Sequence, residues 1–123
     1  MEKEFVPYEL ALRLKAIGFD DPCLAIHSNA NPKTGFYTLN KYRLTLIKQG
    51  SQKDKGVKAP LFQQAFKWFR ENHNLNPSIM YNGIGQWDYD LNGDWSGRVW
   101  DSYEEAELTC LGKLIEIVES KSE

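Results

Sequence analysis

Three segments of the chain repeat apolar residues at helical spacing, and each carries a signal typical of a helix end. Pro7 opens the first, and Gly18 stands where a left-handed C-terminal residue belongs. Pro60 opens the second, and Ser102 begins a capping box ahead of the third. The pattern predicts helices over 7–17, 60–74 and 102–119.

Between these helices, apolar and polar residues alternate as they do in strands. Residues 23–27, 36–47 and 79–81 are predicted strands, and the Gly- and Lys-rich stretch 50–58 is a predicted loop. Asn-Gly at 92–93 indicates a hairpin. A three-residue turn over 92–94 places apolar residues opposite one another, so we predict that register over a two-residue turn.

Strands and helices do not alternate one for one in this order, which disfavours a parallel doubly wound sheet. We therefore predict a single α+β domain over residues 1–123, with an antiparallel sheet of four to five strands and three helices packed mainly on one face. The apolar arc of the last helix spans roughly 180–200°, more than one sheet contact requires. A second surface, either another helix or another subunit, is expected to cover the remainder.

Composition excludes some classes of protein. The N-terminus lacks a basic region leading into an apolar run, and no apolar stretch approaches the ~20 residues of a membrane helix. The two cysteines, Cys23 and Cys110, fit no metal or redox spacing and are predicted to be buried thiols. We expect a cytoplasmic protein with no cofactor and no membrane association.

Charge is distributed unevenly along the chain. Residues 33–58 carry seven Lys or Arg against one Asp, whereas residues 59–123 carry five against eleven acids. A basic segment with interleaved aromatic residues is typical of nucleic-acid binding, although the overall pI near 5.7 disfavours it. The residues predicted for that alternative are Lys41, Arg43, Lys48, Lys53, Lys55 and Lys58.

Residues 88–94 match the opening of a calcium-binding loop, with carboxylates and an amide at alternate positions and a Gly at the turn. The twelfth position of such a loop is Val99 rather than Glu, and the flanking segments are predicted strands. The pattern favours a hairpin with an acidic face. The alternative metal ligands are Asp88, Asp90, Asn92 and Asp94.

Catalytic signatures are not found in the sequence: it contains neither a Gly-x-Ser-x-Gly elbow nor a phosphate-binding glycine loop. Tryptophans and the wide apolar arc of the last helix instead indicate a partner surface, to which we assign Trp95, Trp100 and Val118.

Three helical stretches carry a resemblance. They are EFVPYELALRLK with GFD at 4–15 and 18–20, APLFQQAFKWFRE at 59–71, and SYEEAE running into CLGKLI at 102–107 and 110–115. Together they resemble small uncharacterised open reading frames of gut bacteria, their prophages and their phages. The resemblance implies a phage or mobile-element accessory protein, and it implies no site residues.

These observations favour non-catalytic binding, either to a protein partner or between copies of the chain. Nucleic-acid binding through 33–58 is one alternative. A small-molecule binder, such as a sponge for a defence signal, or a minor enzyme is another.

Overall fold

A computed structural model describes residues 2–28, 42–46 and 56–121. The fold is α+β, with three α-helices and two three-stranded antiparallel sheets in the described residues. Residue contacts divide the chain into two compact units, Met1–Leu61 and Phe62–Glu123. Whether they form one domain, as the sequence predicts, stays a prediction.

In its described residues, the N-terminal unit contains one α-helix and the first sheet. A short 3-10 helix, Glu2–Glu4, precedes α1, Tyr8–Ala16. The strands are β1, Ala25–Ser28; β2, Arg43–Leu46; and β3, Val57–Ala59. Their order in the sheet is β2-β1-β3.

The end of α1 forms as its glycine predicts. Gly18 adopts a φ of 105°, which a side chain would disfavour. Its N–H donates to the carbonyl of Lys15, and the N–H of Phe19 donates to the carbonyl of Leu14. This pair of hydrogen bonds is the Schellman arrangement, and it turns the buried Phe19 ring back toward the helix.

Strand β3 corrects the predicted loop at 50–58. Val57 and Ala59 are buried on either side of the half-buried Lys58, so the strand period is present but only three residues long. Pro60, predicted to open the second helix, instead follows β3, and its carbonyl accepts the N–H of Val6 at 2.8 Å.

The C-terminal unit contains the other two helices and the second sheet. Helix α2 spans Phe62–His73 and α3 spans Tyr103–Lys121. Strands β4, Pro77–Tyr81; β5, Trp87–Leu91; and β6, Asp94–Trp95, pair in the order β4-β5-β6. Helix α3 packs on β4 and β5, and α2 packs on α3.

Two points of the predicted fold are therefore corrected. The described strands form two sheets of three rather than one of four to five, because β1 pairs with β2 and β3 while β4, β5 and β6 pair among themselves. The predicted packing of the helices mainly on one face of a single sheet is corrected as well: in the C-terminal unit α3 lies on the sheet, whereas α2 packs on α3. The wide apolar arc of α3 is thus covered by a sheet and a helix, one of the two predicted coverings.

The hairpin register is also corrected. Leu91 pairs with Asp94 and Asp90 with Trp95, which leaves a two-residue turn. Asn92 and Gly93 have φ of 55° and 91°, the left-handed pair that this turn requires. Ser96 still donates its N–H to the carbonyl of Tyr89 at 3.0 Å, and residues 97–99 then leave the ladder. The chain pairs with β5 again at Trp100, which exchanges two hydrogen bonds of 2.8 Å with Trp87.

No helix among the described residues has the length and apolar character needed to span a membrane.

Candidate functional site

The described residues assemble no nucleophilic centre. Burial raises the pKa of the Cys23 thiol to about 11 and that of Cys110 to about 12, so both are protonated at neutral pH. His27 is buried, and its Nε2 lies 2.7 Å from the carbonyl oxygen of Val6. That contact connects the segment before α1 to the central strand of the first sheet, so the His27 ring has a structural role.

The four candidate metal ligands do not converge on a common point. One Asp88 oxygen accepts the Tyr89 N–H at 2.6 Å and the Ser96 hydroxyl at 2.5 Å. The Asn92 side-chain oxygen accepts the backbone N–H of Asn76 at 2.7 Å. Asp94 is paired with Leu91 and Asp90 with Trp95, so register places these two carboxylates on opposite sides of the sheet. Across 2–28, 42–46 and 56–121, no three His, Cys, Asp or Glu side chains are grouped to hold a metal ion.

Two of the six candidate nucleic-acid ligands fall within the described residues. Arg43 is exposed on β2. Lys58 donates to both the backbone and the carboxylate of Asp20, each at 2.9 Å, which occupies much of its hydrogen-bonding capacity. The others, Lys41, Lys48, Lys53 and Lys55, lie outside the described residues.

A cavity of about 180 Å³ opens beside this ion pair, within the N-terminal unit. Its walls combine the buried Ala11 and Phe19 with Lys15 and Lys58. Gly56 lines it as well. A Cβ at that position would lie 2.5 Å from the carbonyl oxygen of His27. The cavity is small, and Asp20 already neutralises one of its two ammonium groups.

The three candidate partner residues separate into exposed and buried positions. Trp95 is 51% exposed. Trp100 is partly buried, with its ring stacked on Tyr89 at 5.3 Å. Val118 is only 5% exposed and belongs to the core of the C-terminal unit, so its assignment to a partner surface is corrected. Of the three, Trp95 is the one placed for contact with another molecule.

Trp95 lies on a sheet face that faces away from α3. Strand register puts Ser78, Asp90 and Trp95 side by side across the three strands, and Met80 beside Asp88. We call these five residues the open face. The opposite face carries Tyr89 and Trp87, and Trp87 packs against Tyr103 of α3 at 5.3 Å. Alternation along the strands thus separates a covered face from an uncovered one.

The open face combines apolar and anionic groups. Met80 and Trp95 are 50% and 51% exposed, and they flank the central strand that bears Asp88 and Asp90. Asp88 is fixed by its two hydrogen bonds. No hydrogen bond to the Asp90 carboxylate is formed by the described residues. A cation with an apolar stem can therefore meet a thioether, an indole and an available carboxylate on one surface.

Sequence reasoning identified Trp95, Asp88 and Asp90 but not Met80 or Ser78 as site residues. The sequence does contain a pattern that places these two residues together: Ser78 and Met80 are two residues apart, and residues at that spacing share one face of a strand. The predicted strand 79–81 was too short to show it, because the strand begins earlier, at Pro77.

Comparisons of the chain with protein-family models, with curated proteins and with solved structures found no match.

Proposed function

We propose that this chain is a non-catalytic protein-binding module and that the open face is its contact surface. One observation carries the proposal. Met80 and Trp95 are each half exposed on a sheet face that no element within residues 62–121 covers, with two carboxylates between them.

The chemistry of the open face supports a protein partner. Tryptophan and methionine are enriched at protein interfaces, where they bury large areas, and tryptophan is prominent among residues that dominate binding energy. The open face is ordered by local contacts, because Trp95 belongs to a hairpin with a two-residue turn and the Asp88 carboxylate accepts the Ser96 hydroxyl. A surface that is already ordered loses less conformational entropy when it binds.

Charge disfavours a nucleic acid at this surface. Residues 62–123 carry eleven acids against five Lys or Arg, a net charge of −6, which repels a phosphate backbone. The likeness of the three helices to small phage and prophage reading frames supports a role as an accessory protein of a phage or mobile element, acting on a bacterial protein in the cytoplasm.

The experiment is site-specific photocrosslinking in bacterial cells. A photoreactive phenylalanine analogue replaces Trp95 in one variant and Leu108 in the other, because Leu108 is 40% exposed on α3 and lies away from the open face. We expect one discrete protein adduct from position 95 and none from position 108. For the captured partner, Trp95→Ala should weaken binding by at least about tenfold, as for a residue at the centre of an interface.

The controls separate the alternatives. An adduct of twice the chain's mass identifies a second copy as the partner. Equal, diffuse labelling from positions 95 and 108, or none from either, rejects the open face as a binding surface. Crosslinking to nucleic acid would favour that alternative class of function.

A further inference from the structure

Strand β4 forms an outer edge of the second sheet, and its free hydrogen-bonding groups can be assigned. Asn92 donates its N–H to the carbonyl of Asn76, and Asn82 donates its N–H to the carbonyl of Gln86. These bonds direct the backbone groups of residues 76 and 82 toward β5. Because the direction alternates along an antiparallel strand, Ser78 and Met80 also face β5.

It follows that Ile79 and Tyr81 direct their N–H and C=O groups away from β5. The described residues provide no hydrogen-bond partner for these groups. Edge strands of natural sheets are commonly protected by a charged side chain, an inner proline or a bulge. From Ser78 to Tyr81 this edge has none of the three, and its only proline is the first residue of the strand.

The first sheet gives a contrast. Its outer strand β2 carries Arg43, a charged side chain that is exposed at the edge. Its other outer strand, β3, continues into Pro60 and Leu61, which are joined to Val6 and Phe5 by a hydrogen bond and an isolated bridge. The edge of β4 is thus the least protected one among the described strands.

From this edge we propose that the partner binds as an extended, cationic protein segment that adds to β4 as a fourth strand. The proposal rests on the proposed protein-binding function and specifies the mode of binding. Main-chain hydrogen bonds to Ile79 and Tyr81 supply affinity that does not depend on sequence, and side chains next to the open face supply selectivity.

The charges on the open face select the occupant. A residue of the added strand opposite Ser78 lies two strand spacings, about 10 Å, from Asp90. The short Ser78 side chain leaves the path between them clear, so a lysine or arginine can reach over it to the Asp90 carboxylate. Met80 then packs along the aliphatic stem of a neighbouring side chain.

The same charges disfavour a second copy of the chain at this edge. Pairing of β4 with β4 would bring two units of net charge −6 together, with their central carboxylate-bearing strands only three strand spacings, about 14 Å, apart. A basic segment removes that repulsion and pairs with the available Asp90. Charge complementarity therefore points to a cationic partner.

The test uses the full chain and a capped octapeptide of alternating lysine and valine, observed by NMR hydrogen exchange. At saturation, the amides of Ile79 and Tyr81 should exchange about tenfold more slowly or slower still, because strand addition places them in new hydrogen bonds. The matched glutamate–valine peptide should not bind. Asp90→Asn should weaken binding about threefold, whereas Asp94→Asn, which removes an equal charge from the same hairpin, should not.

The outcomes distinguish this inference from the proposed function. Peptide-induced shifts at the Trp95 indole without protection of Ile79 and Tyr81 would overturn strand addition while leaving the open face as a binding surface. Equal binding of the acidic peptide, or dimerisation of the chain through β4, would overturn the cationic occupant. Met80→Lys provides a second variant, since a cation at the edge should weaken binding of the lysine peptide at least as much as Asp90→Asn does.

Discussion

Each of the two sheets has three strands among the residues that the structure describes, but their central strands are buried differently. All four residues of β1 are buried, so the first sheet is covered on both faces at its central strand. In β5 only Tyr89 is buried, and the other four residues are partly exposed. The central strand of the first sheet is thus enclosed, whereas the second sheet has one face packed on α3 and one face open.

This difference determines where a binding surface can lie. An enclosed strand must be apolar or fully hydrogen-bonded, which is why His27 in β1 has a partner in the carbonyl of Val6. An open face can retain carboxylates and half-exposed apolar groups together. Asp88 and Asp90 occupy such a face, so their charge is available to another molecule.

A matched pair of lysine substitutions tests this difference with the largest expected effect. Ile26→Lys places a cation in the enclosed β1, directly opposite Lys58, and should cost more than about 4 kcal/mol of unfolding free energy. Met80→Lys places the same cation on the open face opposite Asp88 and should change stability by less than about 0.5 kcal/mol. Urea denaturation followed by far-ultraviolet circular dichroism measures both.

The comparison is wrong if both variants lose similar stability. Tryptophan fluorescence adds a second readout, because all four tryptophans lie within residues 62–123. The indole signal of Met80→Lys should therefore show a native C-terminal unit.

Helices were the most predictable part of the fold, because the spacing of their apolar residues and the residues that begin and end them are local features of the sequence. The predicted spans 7–17, 60–74 and 102–119 compare with Tyr8–Ala16, Phe62–His73 and Tyr103–Lys121. Ser102 accepts the N–H of Glu105 at 3.1 Å, as its capping box predicts. The main error, at Pro60, arose because a proline that follows a strand resembles one that opens a helix.

Sheet organisation was less predictable because it depends on distant pairings. No local pattern indicates that β1 pairs on one side with β2 and on the other with β3. The hairpin register failed for a related reason: matching the two faces favoured a longer turn. The chain instead keeps the turn that Asn-Gly prefers and departs from the ladder at 97–99.

The site was partly predictable. Trp95, Asp88 and Asp90 were identified from the sequence, and the register that had been rejected is the one that places them on one face. Val118 was misassigned because the width of the α3 apolar arc does not reveal what covers it; the sheet and α2 do so.

Two glycine substitutions provide a smaller test, since one glycine lies against the enclosed strand β1 and the other lies in α3. Gly56→Ala would bring a Cβ to 2.5 Å from the backbone oxygen of His27, so the strand must shift at a cost of about 1–3 kcal/mol. Gly112→Ala in α3 meets no atom within 4 Å and should stabilise the chain by about 0.5–1 kcal/mol through helix propensity. Thermal denaturation should therefore shift in opposite directions; a common direction would show that the close approach at Gly56 does not constrain the first sheet.

The smallest expected effect concerns the buried acid beneath the covered face of the second sheet. Burial raises the pKa of Glu107, and the hydrogen bond from the Tyr103 hydroxyl offsets part of the rise. The folded state therefore holds this proton more tightly than the unfolded state, and stability should fall as pH rises from about 4.5 through the folded pKa. Glu107→Gln should remove that fall and leave the chain more stable at neutral pH, as measured by urea denaturation at several pH values.

Tyr103→Phe tests the same buried acid from the other side. Loss of the hydroxyl removes the interaction that lowers the pKa of Glu107, so the fall in stability should extend to higher pH than in the parent chain. The Phe ring retains the packing on Trp87, which separates the proton effect from a loss of aromatic contact. A pH profile that is unchanged in both variants would mean that the Glu107 carboxylate is hydrated in the folded state, and that the covered face is more open to water than its packing indicates.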